Sequence, residues 1–519
     1  MTSPLVSKSE SLPKNSDLKP SPDAHNKFDI EHVPGRQRPP STTTLCIVSL
    51  ATMVGTLASN IQNPSNSLIE EDLHATSSQI SWSLAAFMVI QGNFPLIWSA
   101  AAEIKGRKVV YLVASVVFVV GGAVSALSKT IEVMIGMRVL QAAGSSAYMA
   151  ISAATLADIY ETHERGTMMG VFFAAPLVGP ALGPIFGGLL SQSFNWRASF
   201  YFLMICGSVV FFSFLILFKD TYRRERSLTY RSALQRRLAT QEPIQRLSES
   251  SIGGYESSKD QTHVKDPEKQ LQLPIVPDGT PAVTSTPGLD DIKLSIIDIN
   301  PLPPYFRILS RKNNVVILTA NGLVFGFNYC LSYTCARTLT NAYGYGALSV
   351  GLVLLCQGVG SIAGSIIGGR WSDRVLAKMK KANGGQWYAE MRLEASKLAM
   401  LWLPPAVLGY AWMCEKHVNI AGICVMLALI GFSSIWMYAS TVAYLVDANP
   451  GRSGSAVAAN SSFRGTLAFV SLVIAVPLQD SLGDGKLFTA WAGVLVVSEL
   501  LILLVLHKGE SWSKENERE

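Results

Sequence analysis

The sequence predicts an all-α membrane protein with twelve transmembrane helices in two pseudo-symmetric six-helix bundles. Its 519 residues are 49% hydrophobic and only 15% charged, whereas a soluble domain carries roughly a quarter charged residues. The apolar residues fall into twelve runs of nearly spanning length. A long polar segment separates the first six runs from the last six, which indicates two halves of similar construction.

A spanning helix needs about 20 apolar residues to cross roughly 30 Å of hydrocarbon. In the first half, runs near that length lie at 43–62, 80–100, 108–128, 132–157, 168–190 and 198–217. In the second half they lie at 314–336, 347–368, 397–414, 418–446, 455–477 and 487–507. Because backbone groups in lipid must be hydrogen-bonded within their own segment, each run is predicted to be helical.

The polar segments divide the chain into five parts. These are a disordered N-terminal tail (1–41), a first bundle (42–217), a mostly disordered central loop (218–313), a second bundle (314–507) and a C-terminal tail (508–519). The polar composition and turn residues of the first tail and the loop predict little fixed structure. The first tail lacks the pattern of a cleaved signal peptide, so the first span is predicted to act as a signal anchor.

Basic residues concentrate in alternate connections. One set comprises Lys105, Arg107 and Lys108 after the second span, several arginines of the central loop, and Arg374, Lys378, Lys380 and Lys381 after the eighth span. The opposite connections are poor in Lys and Arg, and the first of them holds Glu70, Glu71 and Asp72. The positive-inside rule therefore predicts that both tails and the central loop are cytosolic.

Composition and motifs argue against several other functions. The net charge of +6 is modest, and the basic residues in short connections do not form a nucleic-acid surface. The seven cysteines lie in or beside apolar runs without zinc-like spacing, so neither a metal site nor a disulfide framework is predicted. No nucleophile–base pair or phosphate loop has a suitable setting. We therefore expect no enzyme activity, catalytic residue or cofactor.

Two connections carry related charge motifs. The first, after the second span, contains Glu103, Gly106, Arg107 and Lys108. A carboxylate facing two cations across a glycine turn can latch helix ends in one state and release them in another. Topology alone would explain the cations, but a second copy with Gly369, Asp373 and Arg374 follows the eighth span. Related motifs at matching positions indicate an internal repeat, as in carriers with alternating access.

Two spans of the first half carry further motifs. Arg138 lies in the fourth span with Gln141. An arginine there costs about 2.5–3.5 kcal/mol on insertion scales, so it should face protein or a wet cavity; snorkelling to the interface is the alternative. The fifth span contains small residues at four-residue spacing, which allow close helix approach, and prolines that bend a helix. These residues are Gly179, Pro180, Gly183, Pro184, Gly187 and Gly188.

Polar and aromatic side chains within the spans are candidates for a substrate pocket. Each polar residue alone is more often a helix–helix hydrogen bond than a ligand contact, but a mid-helix cation such as Arg464 needs a partner, which a central cavity can offer. Glu499 in the twelfth span could carry a proton, although packing or snorkelling is the more ordinary role. The pocket candidates are Asn60, Gln91, Tyr148, Asn321, Asn328, Gln357, Trp436, Asn460 and Arg464.

These motifs resemble those of the major facilitator superfamily over both apolar halves. The family pattern G-x-x-x-D-R-x-G-R-K is matched at Gly106, Arg107 and Lys108 and, with the charge kept, at Glu103 in place of the Asp. Ser99 replaces the first Gly and Ile104 replaces the first Arg. The resemblance implies conformational gating by both loop motifs and proton coupling by Arg138 and Gln141. The pattern in the fifth span is similar to the motif of proton-driven drug exporters.

The subgroup most resembled is the fungal twelve-helix drug:proton antiporters, near the quinidine-resistance and dityrosine exporters. The stretches that carry this resemblance are Gly369–Arg374, Lys378–Lys381, Asn383–Gly385 and Met391–Glu394. It implies export of small organic compounds (drugs, polyamines or amino-acid derivatives) in exchange for protons, by a monomer in the plasma membrane, with vacuolar or spore membranes as alternatives. A citrate-like organic-anion exporter, to which Arg464 is suited, and a transport-dead membrane sensor remain open.

Overall fold

The computed structural model describes residues 41–160, 162–220, 302–386, 388–449 and 452–516. Most of the predicted N-terminal tail and the middle of the predicted central loop lie outside the described residues. The end of that loop is helical from Leu302 to Leu309, and the predicted C-terminal tail continues the last helix to Asn516.

The described residues form helices. Those of the first half are α1 (Ser41–Asn60), α2 (Asn66–Asp72), α3 (Ser77–Asn93), α4 (Pro95–Lys105), α5 (Arg107–Leu127), α6 (Ile131–Ile159), α7 (Thr162–Ser193) and α8 (Trp196–Ile216). Those of the second half are α9 (Leu302–Leu309), α10 (Lys312–Asn341), α11 (Ala347–Ala382), α12 (Met391–Glu394), α13 (Lys397–Glu415), α14 (Ile420–Asp447) and α15 (Ser453–Asn516). Gly483, with φ 74°, interrupts α15 and divides it into two segments.

Each predicted apolar run lies on one of these helices to within a few residues, except that the second run covers both α3 and α4. By length and hydropathy, seven of the described helices could cross a membrane, and α3 with α4, bent by 42°, makes an eighth. The predicted multi-pass, all-helical class is therefore confirmed. The count of twelve spans stays a prediction.

Local sequence signals explain where several helices begin and end. Thr76 caps α3, because its hydroxyl accepts from the Gln79 N–H at 3.3 Å while the Gln79 side chain accepts from the Thr76 N–H at 2.9 Å. Pro95 opens α4, and because proline has no N–H to donate, the hydrogen-bond pattern is interrupted where α3 bends into α4. Gly106, with φ 86°, ends α4 in a conformation that favours glycine.

Each half has its own packing, and two pairs of helices make the largest contacts between the halves. In the first half, α7 packs on α1, α3 on α6, and α5 on both α6 and α8. In the second half, α10 packs on α15, α11 on α14, and α13 on both α14 and α15. Contacts between the halves are made by α7 with α11 and by α3 with the first segment of α15.

The small residues of α7 explain how this helix contacts both halves. Gly179, Gly183 and Gly187 face the backbone of α1 between Met53 and Ile61. On another side, Gly188 faces Ala347 at the start of α11, so that a Cβ added to it would lie 2.5 Å from the Ala347 carbonyl oxygen. The glycine stripe predicted to allow close approach therefore fits α7 between α1 and α11.

Replacing Gly188 by Ala should weaken the contact between α7 and α11. The added Cβ would force the Ala347 backbone away, and overpacking of this kind costs about 1–3 kcal/mol. We expect a lower unfolding temperature for the detergent-solubilised variant. The measurement is size-exclusion chromatography of samples heated to a series of temperatures. Gly136→Ala in α6 is the matched control, because no atom lies within 4 Å of its added Cβ. Equal unfolding temperatures for the two variants would contradict the close packing.

Candidate functional site

The first loop motif ties α4 and α5 to α6 and α8. The Arg107 Nε lies 3.3 Å from Asp158 Oδ2 at the end of α6, and both side chains are largely buried. The Arg107 backbone N–H donates to Asp220 Oδ1 at 3.3 Å, and Lys108 Nζ donates to the Leu215 carbonyl at 2.9 Å. The Asp220 carboxylate also lies against Gly106, where a Cβ would overlap it. Only glycine therefore fits this turn.

A similar ion pair lies at the corresponding end of the second half. Arg392 in α12 contacts Asp447, the last residue of α14, with Nε and Oδ2 3.0 Å apart. It also contacts Asp373 of the second loop motif at 3.3 Å. Arg374, the predicted cation of this motif, is exposed, as is Asp373. The second motif thus uses a cation that is distant in sequence from its acid.

Sequence reasoning missed Asp158 and Asp447 as partners. The signal was present, because each is an acid close to the end of the fourth apolar run of its half. In the structure these two carboxylates hold Arg107 and Arg392 in matching arrangements. Glu103, the acid predicted to face the first pair of cations, lies in the last turn of α4.

Arg138 is fully buried between α1, α3 and α6, so it does not snorkel to a surface. Its Nη1 donates to the Ala58 carbonyl at 3.0 Å and to Gln141 Oε1 at 2.7 Å. The guanidinium carbon lies 4.2 Å from the centre of the Phe87 ring, a favourable cation–π distance. Among the described residues no carboxylate pairs with Arg138, and its Nε and Nη2 have no hydrogen-bond partner.

The three pocket candidates of the first half do not lie together. Asn60 faces the second half, where its Nδ2 donates to the Tyr329 hydroxyl of α10 at 3.4 Å. Gln91 joins α3 to α1 by donating to the Gly55 carbonyl at 3.2 Å. Tyr148 is buried inside the first half, and its hydroxyl donates to Ser115 of α5 at 3.1 Å. The structure therefore does not bring Tyr148 together with Asn60 at the contact between the halves.

In the second half a connected polar network joins α10, α14 and α15. Asn321 Nδ2 donates to Asn460 Oδ1 at 3.0 Å, and Asn460 Nδ2 donates to the Tyr438 hydroxyl at 3.3 Å. Arg464 Nη1 donates to the same hydroxyl at 2.6 Å. Thr441 closes the network by donating to Asn321 Oδ1 at 2.7 Å. Three predicted candidates are thus brought together, and sequence reasoning missed Tyr438 and Thr441, which lie one helical turn apart on α14.

The remaining candidates lie apart from this network. Gln357 of α11 donates to Asn328 Oδ1 of α10 at 3.0 Å, forming a separate polar pair. Trp436 is buried, its indole N–H donates to the Ala395 carbonyl at 3.1 Å, and its ring packs on Trp371. Glu499 is 8% exposed, and its Oε1 has no hydrogen-bond partner among the described residues, so it does not snorkel.

Polar contacts between the halves run along α3 as far as its bend into α4. The Tyr333 hydroxyl of α10 donates to the Ser77 carbonyl at 2.6 Å, and the Ser81 hydroxyl donates to the Leu472 carbonyl. Asn93, at the end of α3, accepts from Ser462 at 2.5 Å. Beyond the bend, α4 packs on α5 and α6 of its own half. The halves are therefore in contact on the side away from the two loop motifs.

A cavity of about 340 Å³ lies on that same side, within the second half. It is lined by the ends of α10 and α13 and by the break in α15, and Arg337 pairs there with Asp480 at 2.6 Å. The charges in its wall are thus partly neutralised by each other, unlike the charges of Arg138 and Arg464.

Comparison with known proteins gives a family and relatives. A family model described as Major Facilitator Superfamily matches residues 48–472. The MFS antiporter QDR3 of Candida albicans is 28% identical over an alignment of 540 residues, which covers 89% of this chain and 77% of that protein. Citrate exporter 1 of Aspergillus niger is 25% identical over 535 residues, covering 99% of this chain and 95% of that protein.

A solved structure is also similar in fold. The crystal structure of the human organic anion transporter MFSD10 (TETRAN) matches with a TM-score of 0.57, covering 90% of this chain and 100% of that chain. The sequence identity is 17%, so the likeness concerns the fold alone.

Replacing Arg392 by Gln should lower stability at the end of the second half. It removes the contact with Asp447, and pairs of this exposure contribute about 1 kcal/mol or less. Arg374→Gln is the matched control, because it removes the same charge from the neighbouring motif at an exposed side chain. We expect a measurable drop in unfolding temperature for Arg392→Gln and none for Arg374→Gln; the reverse order would contradict the assignment of the ion pair.

Proposed function

The chain belongs to the major facilitator superfamily, as its loop motifs predicted, and we propose that it exports small organic compounds in exchange for protons. Export is supported by the relatives, among which are a fungal antiporter and a citrate exporter. The proposed substrates are drugs, polyamines or amino-acid derivatives. The mechanism is alternating access, in which two halves rock about a site between them.

The observation that carries the mechanism is the pair of matching ion pairs, Arg107 with Asp158 and Arg392 with Asp447. Equivalent clusters at the same end of two halves support an internal repeat, and internal repeats are the basis of rocking carriers. We propose twelve spans in two six-helix bundles, 42–217 and 314–507. The break at Gly483 supports counting the two segments of α15 as separate spans.

The proposed orientation places both tails and the central loop 218–313 in the cytosol, because basic residues concentrate on that side. In this orientation the halves touch on the outer side, and we interpret the structure as a state that faces the cytosol. In the opposite state the two loop motifs would meet the other half. Their gating residues are Glu103, Gly106, Arg107, Lys108, Gly369, Asp373 and Arg374.

Arg138 and Gln141 are the proposed coupling residues. A fully buried cation without a carboxylate partner among the described residues is costly, so its surroundings must compensate its charge. Movement of α1 or α3 changes those surroundings, because Arg138 is bonded to the Ala58 carbonyl of α1 and stacked on Phe87 of α3. This arrangement makes the position of the helices depend on local charge, as the coupling role proposed for Arg138 requires.

The proposed location is the plasma membrane, and the proposed working unit is a monomer. A multi-pass membrane protein is supported by the helices long enough to span a bilayer. A monomer is supported because one polypeptide contains both halves and makes the contacts between them.

Transport by purified protein in proteoliposomes tests the export proposal. We expect an acidic interior to drive uptake of at least one of three probes: rhodamine 6G, putrescine or N-acetyltyrosine. Collapsing the pH gradient with nigericin in potassium buffer should abolish the uptake. Arg138→Gln should lower it at least tenfold, because the buried cation that senses the local charge is lost.

Arg197→Gln serves as the control for this assay. Arg197 pairs with Asp72 at a partly exposed position, so removing its charge should leave uptake unchanged. Protein-free liposomes correct for passive trapping of weak bases. Uptake that persists without a pH gradient would rule out proton coupling.

Cysteine labelling tests the orientation. Lys129→Cys lies between α5 and α6, and Lys380→Cys lies near the end of α11; both positions are exposed. A membrane-impermeant maleimide applied to intact cells should label Cys introduced at position 129 above the wild-type background. The same reagent should label position 380 only after permeabilisation. The opposite pattern would invert the proposed topology.

A further inference from the structure

The hydrogen bonds of the polar network around Arg464 determine which donors remain unused. Asn460 Oδ1 accepts from Asn321, and Asn321 Oδ1 accepts from Thr441, so each amide oxygen already accepts one bond inside the network. The Tyr438 hydroxyl accepts from both Asn460 and Arg464. Two accepted bonds occupy its lone pairs, so its own hydrogen remains to donate.

Arg464 adds further donors that are not used. One nitrogen, Nη1, donates to Tyr438, while Nε is buried without a hydrogen-bond partner. The guanidinium carbon lies 3.9 Å from the centre of the Phe325 ring and 4.6 Å from that of Tyr438. These two rings hold the guanidinium group in place without consuming its hydrogens. The network therefore presents unused donors and positive charge.

Carboxylates do not neutralise this charge within the described part of the chain. Asp447, at the end of α14, pairs with Arg392. Asp480, near the end of the first segment of α15, pairs with Arg337. Arg464 lies between these positions, inside a predicted span, where an unpaired cation is unfavourable. An anion from outside the protein would supply the missing partner.

The network lies where the halves meet. Gly465, next to Arg464, faces Gly92 of α3 so closely that a Cβ on Gly92 would lie 2.7 Å from the Gly465 Cα. The Phe325 ring is followed one turn later on α10 by Tyr329, with ring centres 4.8 Å apart. The Tyr329 hydroxyl contacts Ser59 of α1 at 3.2 Å. An aromatic surface thus extends from Arg464 toward the first half.

We propose that Arg464 and Tyr438 bind the carboxylate of a small organic anion whose aromatic or apolar body lies along Phe325 and Tyr329. A guanidinium fork can donate two parallel hydrogen bonds to a carboxylate, and the Tyr438 hydroxyl can donate a third. Among the proposed substrates, this site favours organic carboxylates, such as amino-acid derivatives, over the cationic polyamines. This inference rests on the proposed export function, because it assigns the substrate of the same site between the halves.

Equilibrium binding to purified protein in nanodiscs tests the assignment with three matched probes. Benzoate, benzyl alcohol and benzylamine share a ring but carry negative, neutral and positive groups. We expect wild-type protein to bind benzoate at least tenfold more tightly than either of the others. Arg464→Gln should weaken benzoate binding at least tenfold, and Tyr438→Phe should weaken it severalfold.

Two further variants, Arg464→Lys and Arg197→Gln, test whether the effect is specific to the guanidinium group of Arg464. Arg464→Lys retains the charge but lacks the planar fork, so it should bind benzoate with intermediate affinity. Arg197→Gln removes a paired cation elsewhere and should bind as wild type. An unchanged elution volume and unfolding temperature establish that each variant is folded. Benzoate binding that survives Arg464→Gln, or tighter binding of benzylamine than of benzoate, would overturn the proposal.

The binding experiment is independent of the transport experiment. If benzoate binds through Arg464 but no probe moves with the pH gradient, the anion site stands and the export proposal fails. If rhodamine 6G or putrescine is transported while benzoate binds no better than benzylamine, export stands and the anion site fails.

Discussion

The close approach of α7 to α1 and α11 is the constraint on which the rest of the arrangement depends. Where glycine replaces a larger residue on this helix, backbones come near enough for van der Waals packing in a setting where burial of apolar surface drives little association. The same helix therefore belongs to the packing of the first half and to the contact with the second. Tyr329 contacts α1 beside this packing, and Arg464 lies next to the other large contact between the halves, that of α3 with α15.

Five of the described arginines fall into two groups. Arg107, Arg392 and Arg337 each have a carboxylate within ion-pair distance near the end of a helix, so their charges serve structure. Arg138 and Arg464 lie within predicted spans and are held by hydrogen bonds and aromatic rings without a described carboxylate partner. Holding a guanidinium group by rings fixes its position yet leaves its charge available, which suits a group that responds to protons or ligands.

The sequence was sufficient for the features that depend on local composition. The positions of the apolar runs, the turn at Gly106 and the small-residue face of α7 all follow from properties of neighbouring residues. The ion-pair partners of the arginines could not be predicted from the sequence, because Asp158 lies 51 residues from Arg107 and Asp447 lies 55 residues from Arg392. Proximity in sequence suggested Arg374 for the second motif, whereas α12 brings Arg392 to Asp373. Tyr438 was missed because an isolated tyrosine in an apolar run has no pattern of its own.

The bend between α3 and α4 converts a small change of angle into a large displacement of the first loop motif. The 11 residues of α4 form a rod about 16 Å long, at a rise of about 1.5 Å per residue. With α3 fixed against α15, a change of about 10° in the 42° bend would swing the Lys105 end through about 3 Å. That distance is comparable to the length of the ion pair between Arg107 and Asp158. A small change of the bend at Pro95 can thus form or break the contacts of the first loop motif at the end of α4. The glycine contacts of α3 need not change.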